Sequence, residues 1–176
     1  MNIISSENKQ LGFNLMKSAV VKSGFFALGR ALQSASLFEE DVKKEVEKLH
    51  DGFSFTMTVL PNGPTFSMQK KGESLVYMGL KLMEKADLVV EIKNLNTAYK
   101  MITTQMGAHH VFAQNKINVI GSTKDSMIII RLIYIIEGYL FPEILNKKIL
   151  KQPPKMTVKK QLNRFHIYTL GLLFGK

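Results

Sequence analysis

The chain has 176 residues and a mass of 19.9 kDa, room for one full hydrophobic core but not for two, which excludes large multidomain enzymes. With 45% hydrophobic and 22% charged residues it has the balance of a packed domain with extensions, not of a disordered or multispanning chain. The absence of Cys excludes a disulfide framework, a thiolate metal site and a cysteine nucleophile, and a cytoplasmic setting is expected.

The formal net charge of +10 points to a polyanionic partner, and its distribution narrows the choice. Residues 1–145 carry sixteen Lys and Arg against fourteen Asp and Glu, whereas residues 146–176 carry eight basic residues and no acid. The body is nearly neutral, so a nucleic-acid-binding face across it is not expected. Met1 to Gln10 lacks a basic lead followed by an apolar run, so no secretion leader is expected. Met127 to Ile136 is the most apolar stretch, but it is interrupted by Arg131 and is far short of the roughly 20 residues a bilayer span needs, so a buried helix is expected.

In chain order, Glu7 to Gln33 shows helical spacing of apolar residues, with Gly24 and Gly29 loosening it into one or two short helices. Ser36 and Glu39 form a capping-box pattern ahead of a helix that places Val42, Val46 and Leu49 on one face and stops at Gly52. The period then changes to two. Phe53, Phe55, Met57 and Val59 alternate with Ser54, Thr56 and Thr58, giving a half-buried strand; Pro61 to Pro64 turns it into a second strand through Phe66 and Met68. Leu75 to Leu80 and Leu88 to Ile92 read as a third and fourth strand, and four consecutive strands imply an antiparallel sheet with one covered face. A helix from Asn94 ends at Gly107, and the adjacent His109 and His110 are expected in a loop. Ile117 to Ile120 is a fifth strand, and Gly121 releases it into a helix capped by Ser122 that runs to about Phe141.

The stretch Ala86-Asp87-Leu88-Val89-Val90, the helix from Asn94, Val111-Phe112-Ala113-Gln114 and Asn115-Lys116-Ile117-Asn118-Val119-Ile120-Gly121 resembles the sterol carrier protein type 2 (SCP2-like) domain in order and spacing. Asn115 stands where that family usually has Gly, and Asn is the next-best residue for a left-handed backbone position. The resemblance covers roughly residues 37 to 145. It implies an α+β fold, a five-stranded mainly antiparallel sheet covered by helices, with an apolar tunnel for sterols, acyl chains or other lipids. On this division residues 1–36 are an N-terminal helical extension, 37–145 the SCP2-like domain, and 146–176 a basic amphipathic tail.

In such a tunnel the candidate lining residues are Phe55, Met57, Met101, Met106, Phe112, Met127, Ile128, Leu132 and Ile135, with Arg131 as the polar candidate. Methionine is unbranched and polarisable and suits a yielding wall, although it also fills ordinary cores. Each buried methylene of a guest would contribute about 0.8 kcal/mol. Arg131 either meets a lipid carboxylate or phosphate at the tunnel mouth, or reaches solvent or pairs with a carboxylate such as Glu91.

No zinc-protease spacing, phosphate-binding glycine loop or nucleophile elbow appears, and no enzyme, cofactor or metal is expected. In the tail, Lys147, Lys148, Lys151, Lys155, Lys159, Lys160 and Arg164 are interleaved with apolar residues including Phe165. This pattern fits an amphipathic helix on an anionic membrane, each cation contributing about 1 kcal/mol, or alternatively a linker followed by a segment docked on the body. Together these features imply non-catalytic binding, with presentation or transfer, of an isoprenoid, acyl or sterol-like lipid by a cytoplasmic protein peripheral to the inner membrane surface. The other implied role is a scaffold for enzymes of lipid or quinone biosynthesis.

Overall fold

The computed structural model describes residues 2–140, in the order α1 (Asn2–Phe38), α2 (Glu40–Glu47), β1 (Ser54–Val59), β2 (Thr65–Lys71), β3 (Ser74–Gly79), β4 (Leu88–Ile92), α3 (Leu95–Ile102), α4 (Ala108–Ala113), β5 (Ile117–Gly121) and α5 (Thr123–Leu140). All five strands lie where the sequence places them. The basic tail with its candidate membrane contacts, Lys147 to Phe165, lies outside the described residues.

The sheet order is β3-β2-β1-β4-β5. Three of its four pairings are antiparallel, but β4 pairs with β1 in parallel, which corrects the expectation of consecutive antiparallel strands. The register explains how. Gly79 lies opposite Ser67, Ser67 opposite Thr56, and Phe55 opposite Leu88, so the chain leaves the β3 edge and returns beyond β1 at nearly the same level. Residues 80–87 make this crossover. Along it, the Lys81 carbonyl accepts from Ser67 Oγ at 2.6 Å, and Ser67 Oγ is 2.8 Å from Thr56 Oγ1. Ser54, Thr56 and Ser67 are therefore buried, and β1 is covered on both faces where a solvated hydroxyl face was expected. Hydroxyls tolerate that burial because they bond to one another and to a carbonyl.

The opposite face carries the core. Phe53, Phe55, Met57 and Val59 of the β1 segment, Phe66 and Met68 of β2, and Leu88, Val90 and Ile92 of β4 are buried there with Val21, Phe25, Leu28, Leu32 and Ala35 of α1, Val42 and Val46 of α2, and Ile128, Ile129, Leu132 and Ile136 of α5. Helix α1 is a single 37-residue helix, not one or two short ones. Gly24 and Gly29 are sites of close approach rather than breaks. A Cβ on Gly24 would stand 2.5 Å from Ile102 Cγ2, and one on Gly29 would stand 2.4 Å from the Tyr77 ring. The helix passes residue 36 without interruption, and its second half supplies core side chains to the sheet.

Ser36 does not cap α2. Glu39 holds the N-cap position with no side-chain cap bond, while Ser36 Oγ donates to the Gln33 carbonyl and accepts from Leu75 N–H at 3.0 Å. Gln33 Oε1 likewise accepts from Tyr77 N–H at 2.8 Å. Two outward N–H groups of edge strand β3 thus find acceptors on α1, a side-chain substitute for the missing neighbour strand.

His109 and His110 fall in α4, where a loop was expected. Among the described residues no helix is long and apolar enough to cross a membrane.

Candidate functional site

The residues that carry the family resemblance meet at one structural joint. Asp87 Oδ2 accepts from Ser54 N–H at 2.8 Å and from Ser54 Oγ at 2.9 Å, which ties the end of the crossover to the start of β1. The Ser54 backbone bond does most to hold the Asp87 carboxyl below its usual value; burial opposes it, and the Ser54 hydroxyl and nearby His50 assist. Gly121 has φ +135°, and a Cβ there would lie 2.5 Å from the Asp87 carbonyl oxygen. Asn115 occupies the left-handed region at φ +52°, as its place in the pattern requires. The Ala86 to Gly121 signature is therefore a fold joint. It fastens β1, β4 and β5.

The apolar interior between sheet and helices is where the candidate lining residues gather, in part. Phe55, Met57, Ile128 and Leu132 are buried in the core, and Met101, Met106 and Ile135 are partly buried against it. Met127 is 49% exposed and sits on the outer side of α5. Phe112 belongs to α4, but its side chain lies outside what the structure describes.

A row of rings crosses this interior. Phe55 packs edge-on against Phe66 at 5.9 Å between centroids, Phe66 lies 6.5 Å from Tyr77, and Tyr77 meets Phe26 edge-on at 5.9 Å. Phe25 joins from α1, 5.1 Å from Phe66. The row runs from β1 across β2 to β3 and emerges beneath α1. Such ring pairs contribute about 0.5–1.5 kcal/mol each beyond their buried area.

The two arginines near this interior differ in their partners. Arg131 donates through Nε to Glu45 Oε2 at 2.9 Å, so the partner is a carboxylate of α2 and not Glu91, which accepts instead from Asn118. Burial pushes the Glu45 carboxyl up, but bonds and charges from Lys48 and Arg131 outweigh it and leave the group below its usual value. Arg131 is thereby neutralised on the protein itself. Arg30, one turn beyond Phe26 on α1, stands at the end of the ring row with its guanidinium carbon 5.6 Å from the Phe26 centroid and 5.9 Å from the Tyr77 centroid.

Arg30 Nε, Tyr77 OH and Ser34 Oγ are buried without a hydrogen-bond partner among the described residues. No salt bridge to Arg30 is formed among those residues. Burial raises the Tyr77 hydroxyl above its usual value, only partly offset by the charge of Arg30, so it remains a neutral donor at physiological pH. Each unsatisfied buried polar atom costs about 1–3 kcal/mol. Sequence reasoning missed this group because Gly24 and Gly29 appeared to break the helix. The available signal was the i, i+4 spacing of Phe26, Arg30 and Ser34, which puts them on one strip of an unbroken helix.

The protein is of the α+β class, a five-stranded mixed sheet with helices against one face. No protein-family model matches the chain, and no curated protein matches it. Among solved structures it is similar to the ubiquinone synthesis protein UbiJ-SCP2, at 12% identity and a TM-score of 0.44, over 70% of this chain and 98% of that one. It is also similar to palmitated SCP2L2 from Aedes aegypti, at 10% identity and a TM-score of 0.41, over 62% of this chain and 91% of that one. The sterol carrier protein-2 like-3 structure from Aedes aegypti is similar at 9% identity and a TM-score of 0.35, over 58% of this chain and 95% of that one. These structures are of the SCP2 type that the Ala86 to Gly121 pattern resembles.

Proposed function

We propose that the protein binds a hydrophobic lipid of isoprenoid, acyl or sterol-like class between its sheet and helices, and presents or transfers it without catalysing a reaction on it. The observation that supports this best is the ring row from Phe55 to Phe26, a run of packed aromatic side chains that crosses three strands and ends beside a cation with no carboxylate partner among the described residues. Phe55, Met57, Met101, Met106, Ile128, Leu132 and Ile135 remain the proposed lining together with Phe112, whereas Met127, on the outer side of α5, is left out of it. The guest would be accommodated by side chains yielding around it, for which methionine and aromatic rims are suited.

We further propose that the tail from Lys147 to Phe165 meets an anionic bilayer, placing the domain at the cytoplasmic membrane surface where its ligand resides. Native mass spectrometry of the full chain tests the central proposal: a retained lipid supports it, and Met101→Asp should abolish retention while leaving the fold intact. Protein that is empty as purified and takes up no fatty acid from vesicles would overturn it. The scaffold role draws support from a separate feature, the exposed Leu11, Phe13, Leu15 and Met16 on the first half of α1. Empty protein isolated with a fixed set of lipid or quinone biosynthesis enzymes would favour that role.

A further inference from the structure

We propose that Arg30 and Tyr77, with Ser34 alongside, form an anion site at the end of the ring row, and that it takes the carboxylate or phosphate head of an amphiphile whose hydrocarbon follows the rings inward. This deepens the lipid-binding proposal and rests on it for the hydrocarbon part.

The chemistry of the three groups converges on an anion. Guanidinium is a donor only, and a neutral phenol and a serine hydroxyl each offer a donor hydrogen. Phe26 and Tyr77 present ring faces to the Arg30 charge, which accounts for where the guanidinium rests, but rings provide no lone pair for Nε–H. That hydrogen donates to nothing among the described residues, although Nε is buried. An anionic oxygen seated against Nε and the Tyr77 hydroxyl would satisfy both, with the charge-assisted bonds that planar guanidinium forms best. Geometry supplies the rest. Gly29 leaves the space into which the Tyr77 ring sits against α1, and Gln33, the next turn along, pins the Tyr77 backbone to the same helix. The Tyr77 ring is thus held beside Arg30 on a ridge of α1 that the sheet edge itself fixes. Arg131, by contrast, already pairs with the Glu45 carboxylate.

The test uses the full chain in four forms: wild type, Arg30→Gln, Arg30→Lys and Tyr77→Phe, with Arg131→Gln as control. Each is titrated with palmitate and with hexadecanol, which share a tail and differ in the head. Wild type and the Arg131→Gln variant should prefer palmitate by about tenfold or more, Arg30→Gln should lose that preference with hexadecanol binding unchanged, and Arg30→Lys should retain part of it. Tyr77→Phe should weaken palmitate severalfold. Equal preference for palmitate in wild type and Arg30→Gln overturns the site. The source of the anion is settled by inorganic phosphate: if it displaces palmitate at millimolar concentration the site accepts a free anion, and if it does not the site belongs to a lipid head. Should neither palmitate nor hexadecanol bind, the lipid proposal falls. The anion site then stands only if phosphate shifts the Arg30 Nε–H resonance, and an unmoved resonance overturns it as well.

Discussion

Replacing Glu137 with Gln is expected to change how stability depends on pH, and the size of the effect follows from one number. Burial on α5 raises the Glu137 carboxyl from 4.5 to about 7. At 1.36 kcal/mol per unit, ionising this group in the folded protein costs about 3 kcal/mol relative to the unfolded chain. The folded state holds the proton more tightly, so stability falls as pH rises. Below pH 4.5 both states are protonated and nothing is lost; the loss accumulates between about 4.5 and 7 and is complete above that. Glutamine cannot ionise, so the variant escapes the loss. Its stability difference from wild type should therefore move in its favour by about 3 kcal/mol between pH 4 and pH 8. Urea unfolding followed by far-UV circular dichroism at several pH values reads this directly, and the change in the difference cancels both the packing effect of the amide and every other titration. A difference that stays constant across that range would show that Glu137 is solvated in the folded state, refuting the reasoning.

Four further outcomes follow from the joint and the helix. Gly121→Ala places a Cβ against the Asp87 carbonyl at 2.5 Å on a backbone with φ +135°, and should cost about 2–4 kcal/mol in thermal or chemical unfolding. Asp87→Ala leaves Ser54 N–H and Oγ without their acceptor and should cost about 2 kcal/mol, moderated by the exposure of the carboxylate. Because the Asp87 carboxyl is depressed from 3.8, its contribution is present above that value and lost as pH falls through the lower folded one, so the gap between wild type and Asp87→Asn should close in acid. Deleting residues 1–36, the segment whose sequence reads as an extension, removes Phe25, Leu28, Leu32 and the two acceptors of the β3 edge; the remainder should show no cooperative unfolding transition by calorimetry.

The strands were legible because their signals need only the local chain: Phe53 to Val59 announces its period, and Leu88 to Ile92 its short apolar run, without help. Pairing was not. Whether β4 sits beside β3 or beyond β1 depends on residues 80–87, whose path is set by Ser67 Oγ donating to the Lys81 carbonyl and by Ser54 donating to Asp87, contacts 14 and 33 residues apart in sequence. The same distance in sequence hid the partner of Arg131. A cation in an aliphatic run invites a nearby carboxylate or a ligand, but α2 delivers Glu45 from 86 residues away. Asn115 is the contrary case, since a left-handed turn before a strand is a local demand and the residue type revealed it.

Helix α1 shows why periodicity alone mistakes a working face for a solvated one. Phe26, Gly29 with Arg30, Gln33 and Ser36 recur every three or four residues on a ridge beside the buried stripe, and by hydropathy they look like a mixed surface. Each meets a different need of β3 or its neighbourhood: a ring edge for Tyr77, space for its side chain, a charge at its rim, and acceptors for the N–H groups of Tyr77 and Leu75. A strand edge presents exactly such mixed demands, backbone donors at every second residue with side chains between, so its proper complement on a helix cannot be uniformly apolar. The edge that would otherwise invite another strand is closed by this ridge, and the closure fixes Tyr77 where the ring row ends. Closing the sheet and holding the proposed anion site are consequently one structural act, which is why Gln33→Ala, which alters no charge, should weaken palmitate binding only to the extent that it frees the Tyr77 backbone.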